Sequence, residues 1–108
     1  DEAITLYEEV LADRTHILGP DHPDTLASRN NLAYAYRSAG RLDEAITRFE
    51  EVLADHLRVL GPDHPHTLAS RNNLAGAYEA AGRLDDAKAL FDQPTDPGST
   101  GTDRADNR

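Results

Sequence analysis

The apolar residues of this chain recur at intervals of three and four. In DEAITRFEEVLADHLRVL (43–60) they are Ala45, Ile46, Phe49, Val52, Leu53, Leu57 and Leu60, one stripe along an α-helix. Asp43 and Glu44 put negative charge at its start, where the helix dipole favours it. Leu60 is followed by Gly61, suited to a helix end, and by Pro62, which cannot continue a helix. In HPHTLASRNNLAGAYEAAG (64–82) the stripe is Leu68, Arg71 or Asn72, Ala75 and Tyr78, with Ala77 and Ala81 beside it. Pro65 fits a first helical position, Asp63 or His64 supplies the N-cap acceptor, and Gly82 ends the element. No stretch alternates with the period of two that a strand requires. The pattern predicts an all-α chain.

The pattern also repeats. LGPDHP occurs at 18–23 and again at 60–65, and residues 1–42 align with 43–84 with only ten differences. A third copy begins as DDAKALFDQ (85–93) and then departs. One supersecondary unit stacked on itself is the expected result. LGPDHP reads as a helix stop, a tight polar corner and a helix start. The shorter AGRLD (39–43 and 81–85) reads as the second kind of corner. Two alternating corners of fixed length make an array of antiparallel helical hairpins. The expected division is a repeat region at 1–92 and a polar tail at 93–108. Within the repeat region, 1–18 is the second helix of a partial unit and 23–60 a full pair. Residues 65–92 form a pair with a short last helix. The tail, PTDPGSTGTDRADNR from 94, has the composition of a mobile segment.

NLAYAYRSAGRLDEAITRFEEVL (31–53) resembles the core of the tetratricopeptide repeat family. The resemblance is carried by Leu32, Ala33, Tyr36, Gly40, Ala45, Phe49 and Val52, and again by Leu74, Ala75, Tyr78, Gly82, Ala87 and Phe91. Ala3, Tyr7 and Val10 match in the partial copy. The usual unit is about 34 residues. The 42-residue period and the LGPDHPDT corner are similar to the kinesin-light-chain subtype, which also occurs in bacterial multi-domain regulators. The family resemblance implies a right-handed superhelical stack whose concave face is lined by the first helix of each hairpin. Arg29 and Arg71 depart from the family, which usually has a large apolar residue there. A paired guanidinium, answered for example by a glutamate of FEE (49–51), is the expected accommodation.

Composition narrows function. The chain has 108 residues, 38% hydrophobic and 29% charged, with a formal charge of −9. So acidic a surface disfavours nucleic acid and anionic membrane as partners. No cysteine is present, which removes disulfides, thiol chemistry and cysteine metal sites. No apolar run approaches the length of a membrane span, and no signal peptide is visible, so a cytoplasmic setting is expected. Ten of the eleven basic residues are arginine, as in a GC-rich genome, and a bacterial source is the expectation. Asp1 in place of Met suggests a cut or processed start.

Candidate chemistry is sparse. Ser28 and Ser70 have no legible His and Asp partners, and no Gly-rich phosphate loop occurs. DHPH (63–66) gathers Asp63, His64 and His66, but the first copy reads DHPD, so a metal site is not expected. No enzyme activity and no cofactor are expected. What remains is binding of a protein or peptide. The resemblance places Asn30, Tyr34, Arg37, Ser38, Asn72 and Glu79 on the concave face, with Ala27, Ala69, Gly76 and Ala80 among them. Asparagine both donates and accepts, so Asn30 and Asn72 suit a peptide backbone. Asn31 and Asn73 are assigned to structure. Three of the ten differences between copies, at 34, 37 and 38, fall on this face and four at 14–17. A second reading is a self-associating scaffold that oligomerises through uncapped ends or helix swapping. On that reading Ala3, Ile4, Tyr7, Val10 and Leu11 lack cover and form the working surface.

Overall fold

The computed structural model describes residues 2–92. The polar segment 93–108, expected above to be mobile, lies outside the described residues. Five helices follow one another: α1 (Glu2–Leu18), α2 (Pro23–Ser38), α3 (Leu42–Leu60), α4 (Pro65–Ala80) and α5 (Leu84–Asp92). Among the described residues there is no strand. The packing runs between sequence neighbours, α1 on α2, α2 on α3, α3 on α4 and α4 on α5. The result measures 52 × 32 × 15 Å, a two-layer stack in which α2 and α4 form one layer.

Each corner is built by local chemistry. At the long corner His22 precedes Pro23, and its Nδ1 accepts the Asp24 N–H at 3.0 Å. His64 repeats this before Pro65, accepting the His66 N–H at 3.0 Å. Proline brings no N–H to the exposed first turn, and the imidazole satisfies the next donor. At the short corner the Gly40 N–H reaches Arg37 O at 3.0 Å and the Arg41 N–H reaches Tyr36 O at 2.9 Å. That paired closure turns on a left-handed residue, and Gly40 has φ +79°.

The core is assembled from small and large residues on facing stripes. Ala33, Ala45 and Ala77 are fully buried and let helix axes approach. Leu32, Phe49 and Val52 fill the space between. Two tyrosines lock each hairpin to the helix before it. Tyr36 donates its hydroxyl to Glu8 at 3.2 Å, and Arg41 and Arg48 stack on its ring at 4.7 and 4.8 Å. Tyr78 does the same with Glu50 at 2.5 Å, under Arg83 at 4.7 Å. Burial, then the bond to Glu50, pushes the Tyr78 hydroxyl up to about 12. Buried Thr25 and Thr67 donate to Arg14 O and His56 O at 3.3 and 3.2 Å, closing the far end of each helix pair.

Two expectations about the apolar stripe change. Ile4 is 4% exposed and belongs to the core, because it faces α2; Leu11 is half-buried against the same core. Tyr7 and Val10, beside Ile4 along the same stripe, are exposed at 39% and 37%. Leu68, placed in the α4 stripe, is 44% exposed, whereas its counterpart Leu26 is fully buried. Both sit at the start of their helix, opposite the far end of the antiparallel partner. Nineteen-residue α3 reaches that level for Leu26, and α5, described over nine residues, does not reach it for Leu68.

Equivalent phenylalanines should therefore differ in worth. Phe49 is 0% exposed and Phe91 56%. Phe49→Ala is expected to cost about 3–5 kcal/mol in urea unfolding, and Phe91→Ala well under half of that. Gly40→Ala, which forces a Cβ into positive φ with no clash around it, should cost about 1 kcal/mol by the same measurement.

Candidate functional site

Because the corners hold α2 and α4 side by side, their first halves enclose a hollow of about 110 Å³. Pro23, Ala27 and Asn30 come from α2, and His66, Ala69 and Ser70 from α4. His56 of α3 closes the floor. The alanines create the space, since any larger side chain would fill it. His56 is 5% exposed, and its Nδ1 is hydrogen-bonded to the Ser70 hydroxyl. The rings of His56 and His66 lie 6.1 Å apart, and those of His66 and His64 4.9 Å. Burial lowers the His56 pKa below its ordinary value, and the neighbouring His66 and His64 add to this. At the rim, the Asn30 Oδ1 is buried without a hydrogen-bond partner among the described residues. An acceptor left so costs stability until a donor arrives.

A second cluster lies further along the same layer. Tyr34 meets Phe49 edge to face at 5.8 Å, and Arg37 lies over the Tyr34 ring at 5.9 Å. The Arg37 guanidinium crosses to α4, where a Cβ on Gly76 would sit 3.1 Å from its Nη1. The space that Gly76 leaves opposite Tyr34 is thus filled by this guanidinium. Ser38, Asn72 and Glu79 are exposed and do not line the hollow. In the first copy Asn31 is exposed and Asn30 is half-buried with a buried oxygen, whereas in the second Asn72 is exposed and Asn73 half-buried. Consecutive helical residues point about 100° apart, so only one of the pair turns inward.

His56 was not among the sequence candidates, and His66 was weighed there only as a metal ligand. Both stand at positions where the copies differ, opposite Arg14 and Asp24, and that difference was the available signal. A broader hollow of about 300 Å³ runs along Asp43, Glu44, Thr47, Arg48 and Glu51. Its lining comes from α3 alone, so it is the surface of a helix and not a cleft. Arg29 finds its expected partner in Glu51 at 3.4 Å and a second in Asp55. No helix among the described residues is long and apolar enough to cross a membrane.

The model of the family described as Tetratricopeptide repeat matches residues 1–55 and 34–93. The chain belongs to the tetratricopeptide repeat family. One curated relative is Protein KINESIN LIGHT CHAIN-RELATED 3 of Arabidopsis thaliana, 46% identical over 43 residues. That match spans 40% of this chain and 7% of the plant protein. Among solved structures, one described as kinesin light chain nearly identical TPR-like repeats, from Podosopora anserina, superposes with a TM-score of 0.78. It is 37% identical and covers 98% of this chain, which spans 50% of its length. A point variant of the same protein matches equally well. Repeats of this family generally mediate protein–protein interaction.

The His56 site has a pH signature. Its folded pKa lies below the ordinary 6.5, so the unfolded chain takes up a proton first as pH falls. This group's contribution should be flat well above pH 6.5 and decline as pH falls through that value, with a slope of at most about 1.4 kcal/mol per pH unit. In urea titrations at stepped pH, His56→Gln is expected to flatten that decline.

Proposed function

We propose that this chain is a non-catalytic interaction module that holds an extended peptide or a partner helix against the α2–α4 layer. The observation that carries the reading is the Asn30 carboxamide oxygen, buried at the rim of a hollow and unanswered by any donor among the described residues. A peptide N–H reaching it satisfies a group the fold leaves wanting. Ala27 and Ala69 admit a small or linear side chain beside it. Tyr34 and Arg37, stacked on the same layer, supply an aromatic face and a positive charge for an aromatic or acidic side chain. Ser38, Asn72 and Glu79 extend the face as exposed polar contacts. The −9 charge favours a peptide over nucleic acid or anionic lipid. A cytoplasmic, bacterial setting belongs to the same proposal.

The test is to select peptides from a random display library against the chain and measure their affinity by calorimetry. Asn30→Ala should weaken the selected peptides about tenfold, the equivalent of one buried hydrogen bond. Ala69→Leu, which fills the hollow, should weaken them at least as much. Peptides whose affinity is indifferent to both substitutions would refute the assignment.

A further inference from the structure

Positions 29 and 71 hold the same residue in the two copies but in different electrostatic company. Arg29 on α2 is paired across its hairpin with Glu51 and Asp55 of α3. Arg71 on α4 is only 8% exposed, and its Nε has no hydrogen-bond partner among the described residues. Counting 42 positions on from Glu51 and Asp55 arrives at Gln93 and Pro97, neither of them an acid. Arginine cannot shed its proton, so a largely buried arginine whose Nε is unanswered calls for an anion from elsewhere.

The matching acids stand at the other end of the chain. Counting 42 back from Glu51 and Asp55 gives Glu9 and Asp13 on α1, both exposed. Tyr7 and Val10 are the counterparts of Phe49 and Val52. In α3 those two residues are fully buried; in α1 theirs stand 39% and 37% exposed. α1 has 17 residues, whereas α5, which occupies the slot beside α4, has nine. α5 holds that slot weakly: Ala87 is buried, but Leu84 and Phe91 are 61% and 56% exposed.

We propose that α1 of a second copy of this chain displaces α5 and docks on α4, rebuilding the α2–α3 hairpin between two molecules. Glu9 and Asp13 of the second copy meet Arg71 as Glu51 and Asp55 meet Arg29. Tyr7 and Val10 of the second copy take the places that Phe49 and Val52 hold in α3. The alternation of layers is preserved, since α4 of one copy is followed by α1 and then α2 of the next. Donor and acceptor lie at opposite ends, so the contact is head-to-tail and the assembly grows without closing at two. Asn30 takes no part, so this contact is independent of the groove.

The experiment is multi-angle light scattering of the full chain from micromolar to millimolar concentration, with circular dichroism as the check on folding. The weight-average mass is expected to climb past twice the 11.8 kDa of one chain. Asp13→Arg lies on an exposed surface and should return the mass to one chain, while Asp13→Glu should not. Arg71→Asp should also abolish growth. Mixing the Asp13→Arg and Arg71→Asp chains should restore it, because every junction then joins opposite charges. If Arg71→Asp does not fold, the contrast between Asp13→Arg and Asp13→Glu decides alone. A mass that stays at one chain throughout overturns the proposal, and is the result expected if residues 93–108 or a different protein covers α4. Growth that stops at two copies, or that Asp13→Arg leaves unchanged, overturns it as well.

Discussion

The structure rests on one constraint: a helix with an apolar face wider than one neighbour can cover must be flanked on two sides. α3 meets it, lying between α2 and α4, and its Ala45, Phe49 and Val52 are all 0% exposed. The same pattern on α1 has a neighbour on one side among the described residues, and there the burial divides. Ile4 goes inside and Tyr7 stays at the surface. The corners exist to deliver this flanking. Their fixed lengths alternate the two layers, and the Tyr36–Glu8 and Tyr78–Glu50 bonds hold each hairpin in register on the helix before it.

Much of this was readable from residues, because the corner chemistry is local. Proline at 23 and 65 and glycine at 40 and 82 act through their own backbone, whatever surrounds them. Periodicity located the apolar stripes for the same reason. It could not assign each member of a stripe to a particular neighbour, and so Ile4 and Tyr7 were grouped together and Leu68 was placed inside. Adjacent asparagines posed a similar ambiguity, since only the helix rotation decides whether 30 or 31 turns inward. The His56–Ser70 floor of the hollow was illegible for a different reason. It joins residues 14 apart on two helices, and in the first copy the place of His56 is taken by Arg14.

Near-identical repeats make the few differences informative. Gly76 in place of a second tyrosine is what admits the Arg37 guanidinium between α2 and α4. His66 in place of a second aspartate brings an imidazole to the hollow. Four of the ten differences fall on the α2 and α4 layer and six on the α1 and α3 layer. Arg71, whose Nε has no hydrogen-bond partner among the described residues, is the converse case, an unchanged residue whose surroundings changed. The groove and the terminal faces are separate surfaces, so occupation of one leaves the other available.

The dominance of packing between sequence neighbours has a mechanical corollary. In a sandwich of strands, tension on the two ends is shared across many bonds in parallel. Here each helix interface carries the whole load in series, as links in a chain do. The α4–α5 junction, with its exposed Leu84 and Phe91, is the link that gives first. Such a molecule extends by unstacking one element at a time, a compliant spring whose stiffness is set by its poorest joint.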